Sequence, residues 1–342
     1  KTPTDKARHS QLRRDINRMR TELDEVNKQI RQIEILKSFR DQTQSVTDQY
    51  SKSMLQQMRE MQKENIQQQI VVIMETGTYR VPMLITIGII TVGLAIKSAL
   101  FPFHSWVPDA YGYATVSSGA ILSSLVSKGY IFLLFKIFYR VIGFQHIADS
   151  HILNLLFLFG LCGMIFGSIS AIWEKDIRRM IAFSSVAQIG YIYAGLGLGN
   201  RAGFVAAIFH MVMHAFAKSA LFISSSGLSE VSGNSKRFAD LRGAGFRHPA
   251  AGVCFTIASM SLVGVPVLGG FIAKMYLSDA AITAGGARMW IMLIALAIST
   301  LLNVLYLMKT VVTLYRPARE GFSAPAVKRS WRTEIALWGL VV

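Results

Sequence analysis

Over the first seventy or so residues the apolar side chains form one narrow stripe, whereas beyond residue 80 they fill runs long enough to cross a lipid bilayer. Leu12, Ile16, Met19, Leu23, Val26, Ile30 and Ile33 recur at alternating spacings of four and three, the seam of a left-handed coiled coil. Arg13, Arg14, Asp15, Glu22, Asp24 and Lys28 lie between them and keep the remaining faces wet. After a polar stretch around Asp41 to Asp48, the pattern predicts a second helix over 46–70, with Met54, Met58 and Met61 on one side. Residues 1–75 thus read as a polar coiled-coil or helical-hairpin segment, a spacer or docking element without chemistry of its own.

From Val81 onward the runs have membrane length, since roughly 20 residues at 1.5 Å rise cross a hydrocarbon core of about 30 Å. The predicted spans are 82–104, 114–139, 152–173, 179–198, 204–226, 249–276 and 288–314, with one more beginning near Thr333. Each must be helical, because backbone groups facing lipid find hydrogen-bond partners only within their own segment. The expected fold is therefore all-α: a polytopic membrane bundle of seven or eight helices over 76–342, preceded by the coiled-coil segment. Two spans carry breaks, the first at Pro102 and Pro108 and the sixth at Gly264, Pro266, Gly269 and Gly270. Broken helices in a membrane border cavities or polar sites, so both breaks point toward function.

Charge sharpens this division. Residues 1–75 hold 14 Lys+Arg against 11 Asp+Glu, and residues 76–342 hold 22 against 9, so the net +16 divides as +3 and +13. The basic excess sits in short loops between apolar spans, the pattern of cytoplasmic retention, and this argues against nucleic acid as a partner. Loops 105–113, 174–178, 227–248 and 315–331 carry Lys175, Arg178, Lys236, Arg237, Arg242, Arg247, Arg316, Arg319, Lys328 and Arg329. Loops 140–151, 199–203 and 277–287 offer mainly Arg140 and Arg201. The first set is thereby assigned to the cytoplasm and the coiled-coil segment to the other side. No signal-peptide pattern opens the chain, and Cys162 and Cys254, both in apolar stretches, read as small core residues with neither disulfide nor metal-ligand spacing.

The candidate chemistry lies inside the spans. Lys97, Lys128, Lys218 and Lys274 each stand within or at a break of an apolar stretch, with His104, His210 and His214 close by. A cation near the bilayer midplane costs roughly 2.5 to 3.5 kcal/mol on insertion scales, so several in one chain imply a buried polar pathway. Lysine suits proton relay there, because burial weakens its hold on the proton and a nearby carboxylate restores it. Histidine, which titrates near neutrality, can bridge such groups. Lys136, at the end of its span beside Arg140, is expected to snorkel to the headgroups instead. His210, His214 and Lys218 follow a four-residue spacing and share one face of the fifth span. Histidines at i and i+4 also match a metal-binding pair, but Met211, Val212 and Met213 supply no glutamate base between them and no third ligand is visible, so a polar seam is the preferred reading.

Three long motifs carry a resemblance. They are Lys97-Ser-Ala-Leu-Phe-Pro-Phe-His-Ser-Trp-Val-Pro-Asp-Ala, Asp176-Ile-Arg-Arg-Met-Ile-Ala-Phe-Ser-Ser-Val-Ala-Gln-Ile-Gly-Tyr and His210-Met-Val-Met-His-Ala-Phe-Ala-Lys-Ser-Ala-Leu-Phe. Over about residues 80–320 the chain resembles the antiporter-like proton-translocating subunits of respiratory complex I, membrane-bound hydrogenases and Mrp-type cation/proton antiporters. The resemblance implies that Lys97 matches the lysine of the family's seventh, broken helix, which pairs with a glutamate on the fifth. Lys128 matches the bridging lysine of the eighth helix, Lys218 the central lysine of the eleventh, and Lys274 the terminal lysine beside the broken twelfth. His104, His210 and His214 match polar positions on the same axis. In the family these groups form a horizontal hydrophilic chain between two inverted half-channels, driven by a coupled redox or ion-motive partner.

The resemblance further implies a proton- or sodium-translocating subunit of a multisubunit energy-converting complex, multi-pass in an energy-converting membrane such as the bacterial inner membrane. The family's first six helices, with the glutamate partner of Lys97, are expected before Val81, where this chain carries its charged segment; Glu75 is not on a comparable helix. Partner subunits, one of them a source of those helices, are therefore expected beside the lipid bilayer. No flavin, haem or iron–sulfur signature is visible, so no cofactor is expected, and any redox catalysis of the NADH:quinone oxidoreductase or hydrogenase type belongs to another subunit. The competing readings are a membrane-anchored assembly scaffold with a partner-binding coiled coil and, behind it, a metal enzyme built on His210 and His214.

Overall fold

No glycine occurs before Gly77 and no proline between Pro3 and Pro82, so nothing in the first segment interrupts helical hydrogen bonding. In the computed structural model one helix, α1, accordingly runs from Pro3 to Glu75, 73 residues without a break. The two helices expected on either side of the polar stretch Asp41 to Asp48 are one continuous helix, which replaces the hairpin arrangement. Polar residues in a helix cost only tenths of a kcal/mol each, too little to end it. The hydroxyls of Thr43 and Thr47 even fold back onto the carbonyls of Phe39 and Thr43, at 2.7 and 2.9 Å. Met19, Leu23, Val26, Ile30 and Ile33 stay exposed along it.

The structure describes residues 3–75 and 80–318 together with 334, 335, 337 and 339. The side chains of Leu12 and Ile16, the basic residues Arg319, Lys328 and Arg329, and the start of the span expected near Thr333 lie outside the described residues. The chain divides into two units, residues 1–69 and 70–342.

The second unit is a helix bundle. Its elements are α2 (Arg80–Ser98), α3 (Val107–Tyr113), α4 (Val116–Ile121), α5 (Ser127–Lys136), α6 (Phe144–Asp149), α7 (Ile152–Trp173), α8 (Ile177–Gly197), α9 (Arg201–Glu230), α10 (Ala244–Arg247), α11 (Pro249–Val263), α12 (Gly269–Ala284) and α13 (Gly286–Leu314). Wider π-helical turns at Leu122–Val126 and Ile137–Ile142 flank α5, so that Val116–Ile142 is one continuous span. Six helical stretches among the described residues are long and apolar enough to cross a membrane, and the protein is a multi-pass α-helical membrane bundle.

Both expected breaks are present. α2 stops at Ser98, Ala99 has a positive φ of 68°, and the Phe101–Pro102 peptide is cis. Pro108 then falls in the first turn of α3, where a missing N–H leaves no helical bond unmade. α11 ends at Gly264, whose φ of 93° places it in the left-handed region of a helix C-cap, and the chain resumes as α12 at Gly269.

α8 is the axle of the bundle, with 94% of its membrane window buried. Glycines let α7 approach it closely: a Cβ on Gly167 would lie 2.7 Å from the Ala187 backbone nitrogen, and one on Gly190 would lie 2.6 Å from that of Met164. Lipid supplies no hydrophobic drive for helix association, so close backbone approach at small residues does that work. At the start of α8, Asp176 caps the helix by accepting from the backbone N–H groups of Arg178 and Arg179, at 2.8 and 3.2 Å. The same end gathers several basic loop residues. Asp176 and Arg237 form an antiparallel bridge, Lys236 Nζ donates to the Gly112 carbonyl at 2.9 Å, and Arg179 pairs with Asp109 and, at 3.1 Å, with Glu174.

Candidate functional site

The buried face of α9 presents His210, His214 and Lys218 at 3%, 1% and 0% exposure, the stripe that four-residue spacing predicts. Lys218 Nζ donates to the Ile181 carbonyl at 2.9 Å and to Ser184 Oγ at 2.6 Å, both on α8. The Ile181 carbonyl also accepts from Ser185 Oγ at 3.1 Å. Ser185 Oγ in turn shares a 2.9 Å hydrogen bond with Ser123 Oγ, in the π-helical turn that leads into α5. Lys128, likewise buried, donates to the carbonyl of the same Ser123 and, at 3.4 Å, to Ser127 Oγ. Polar atoms of Ser123, Ser185 and Ile181 thus join the ammonium groups of Lys128 and Lys218. The π turn carries Ser123 into this junction; in it the Ser127 N–H reaches the Leu122 carbonyl, one residue further back than in an α-helix. These partners are neutral carbonyls and hydroxyls, which satisfy the lysine protons without supplying a countercharge.

Away from Lys128, the polar succession continues along α9. Neither ring nitrogen of His214 has a hydrogen-bond partner among the described residues. His210 Nε2 meets Gln188 Oε1 at 3.0 Å, while His210 Nδ1 and Gln188 Nε2 are unpartnered among them. The rings of His210 and His214 stack with centroids 6.3 Å apart, and His210 also stacks on Tyr191 at 5.2 Å. Lys274 closes the series from α12. Its Nζ lies 5.7 Å from the Tyr191 ring centroid and donates to the Val263 carbonyl at 2.5 Å and to Thr300 Oγ1 at 3.0 Å. The break between α11 and α12 therefore exposes a helix-terminal carbonyl, that of Val263, to the lysine.

Five of the residues singled out from sequence come together: Lys128, Lys218, His214, His210 and Lys274. Lys97 and His104 stand apart in this chain. Lys97 is exposed near the C-terminal end of α2, and half-buried His104 stacks on Phe101 with ring centroids 5.4 Å apart. Lys136 and Arg140 are exposed. Sequence reasoning missed Ser123, Ser184, Ser185, Gln188 and Tyr191, together with Asn303 and Tyr306 on α13, which bond each other at 2.8 Å. A signal existed for α8: Ser184, Gln188 and Tyr191 follow spacings of four and three inside an otherwise apolar span.

Fold and site define a polytopic membrane protein threaded by a buried polar axis of lysines and histidines. The chain belongs to the NADH:quinone oxidoreductase/Mrp antiporter transmembrane family, whose pattern it matches over residues 52–302. It is 35% identical over 259 residues to the NADH-quinone oxidoreductase subunit N of Desulforudis audaxviator, covering 74% of this chain and 51% of that protein. A chain of the Mrp complex of a Dietzia species is 30% identical with a TM-score of 0.61, over 72% of this chain and 44% of that one. A chain of respiratory complex I from Thermus thermophilus is 25% identical with a TM-score of 0.60, over 75% and 55%. The chain spans about half the length of the curated relatives it matches.

Proposed function

We propose that this chain is an ion-translocating subunit of a multisubunit energy-converting membrane complex, carrying protons or sodium ions along the axis Lys128, Lys218, His214, His210 and Lys274. The observation that carries the reading is the hydrogen-bonded junction of Lys128 and Lys218 through Ser123, Ser185 and the Ile181 carbonyl. Two buried amines held on neutral partners can each gain or lose a proton without breaking an ion pair, and charge on one disfavours charge on the other. The unpartnered nitrogens of His210, His214 and Gln188 are donors and acceptors that water would satisfy, which extends the relay toward Lys274.

Lys97 and His104 belong to the same pathway in this reading, with exposed Lys97 covered by a polar surface of a neighbouring polypeptide. Residues 1–75 serve as a partner-contacting segment and 76–342 as the antiporter-like unit. The partners are other subunits of the complex, the membrane is an energy-converting one such as the bacterial inner membrane, and the basic loops face the cytoplasm.

The test is Lys218→Ala in the assembled complex, reconstituted in vesicles, with ion uptake followed by a pH-sensitive dye and by sodium uptake. Loss of coupled uptake with assembly intact is expected. Unchanged uptake would refute the lysine axis and leave the scaffold reading standing.

A further inference from the structure

The apolar seam of the first unit does not end at Ile33. It runs on through Leu36 and Phe39 to Tyr50, then through Met54 and Met58 to Met61, all on the one unbroken helix α1. Leu12 and Met61 stand 49 residues and fourteen steps apart, 3.5 residues per step, the period of a left-handed supercoil. The described side chains of this stripe lie open: Ile30 is 48% exposed, Phe39 69% and Tyr50 68%. Thr43 and Val46 fill the steps between Phe39 and Tyr50, and the Thr43 hydroxyl is bonded to the Phe39 carbonyl at 2.7 Å. No step carries a charge. A continuous apolar stripe of this length marks a surface that another helix covers.

The spacing within the stripe selects the occupant. Three successive three-residue steps from Ile30 to Phe39 are made good by three successive four-residue steps from Val46 to Met58. Such irregularities wind and unwind a supercoil locally, so a helix with regular heptads meets the stripe at both ends but slips off it in between. An identical helix, parallel and in register, carries the same steps at the same heights. Charge agrees with that arrangement. With Leu23 and Ile30 at a and Met19, Val26 and Ile33 at d, the flanking g and e′ positions set Asp15 opposite Arg20 of the second copy, Glu22 opposite Asn27 and Gln29 opposite Glu34, with no like charges opposed. Direction agrees as well. Each rod belongs to a chain that crosses the bilayer, and copies inserted in one membrane share one orientation, so their rods leave it on the same side and point the same way. Resting on the partner-contacting role assigned above to residues 1–75, we propose that α1 is one strand of a parallel, in-register coiled coil with a second copy of this chain, which tethers the two copies as a pair.

The test is cysteine cross-linking in membranes that hold the assembled complex, with Cys162→Ala and Cys254→Ala to remove the native thiols and a mild oxidant applied. Val26→Cys, on the seam, should give a disulfide-linked dimer of this chain in a yield about tenfold or more above that of Lys28→Cys, on the outer face of the same turn. When two differently tagged copies are mixed, one with Met19→Cys and the other with Ile30→Cys, each should link only to its own kind. A mixed link would mean antiparallel pairing and overturn the proposed register. If Val26→Cys links a different polypeptide alone, residues 1–75 still contact a partner, but that partner is not a second copy. No link, or one no better than that of Lys28→Cys, brings down both the pairing and the partner-contacting role. Ion uptake is measured beside it: should Lys218→Ala transport normally while Val26→Cys links copy to copy, the lysine axis falls and the paired rods stand.

Discussion

Lys218 and Ser185 donate to one acceptor, the carbonyl oxygen of Ile181, at 2.9 and 3.1 Å. A carbonyl oxygen has two lone pairs, so both donors can be satisfied at once. The consequence is mechanical as well as electrostatic. α9 reaches this oxygen through an ammonium group, and the Ser123 turn reaches it through Ser185, so the two lysine-bearing elements are joined at α8. In the proposed relay, a change of charge on Lys218 would alter the strength of its bond to that oxygen, and the Ser185–Ser123 link would feel it first.

Ser185→Ala should therefore slow ion movement without preventing assembly. It removes the bridging hydroxyl and leaves Ser123 Oγ with one partner fewer, at a net cost of about 0.5 to 1.5 kcal/mol. If that cost falls on the transfer step, the initial rate of uptake in vesicles drops about two- to twelvefold. Ser185→Thr, which keeps the hydroxyl, should recover most of it; equal rates for Ala and wild type would mean that the junction is structural only.

Gly264→Ala should damage both the fold and the Lys274 end of the axis. Gly264 has a φ of 93°, and its missing Cβ would lie 3.0 Å from Lys274 Cδ. A non-glycine residue held there costs of order 1 to 3 kcal/mol, and the lysine stem must also move off the Val263 carbonyl. Thermal unfolding of the purified complex should shift downward and uptake should fall with it. Gly264→Asn, better suited to the left-handed region but equally crowded, should recover stability more than transport.

Much of this architecture was legible in the residues because lipid imposes a simple rule on length and polarity. Residues 152–173 read as a span at the bounds observed for α7, and Pro102, Pro108, Gly264 and Pro266 marked the broken helices. His210, His214 and Lys218 share a buried face because a four-residue spacing leaves little alternative. Other features were not local. Leu122-Ser-Ser-Leu-Val carries no code for a π turn, whose geometry answers to what Ser123 meets on α8. Lys97 looks interior in an apolar run, yet its exposure depends on which surface of α2 has a neighbour. The polar stretch of Asp41 to Asp48 suggested a division into two helices, but without glycine or proline polarity alone does not end a helix.

The α7–α8 contact supplies the last prediction. Gly190 sits where a Cβ would come within 2.6 Å of the Met164 backbone nitrogen. Gly190→Leu must push the helices apart, because a backbone atom cannot rotate aside as a side-chain tip can. Overpacking of this kind costs about 1 to 3 kcal/mol or more, and it displaces the helix that carries Ser184, Ser185, Gln188 and Tyr191. A marked fall in thermal stability and loss of uptake together are expected. Should Gly190→Leu retain wild-type stability and transport, the close approach of α7 and α8 would not be what positions the polar face of α8.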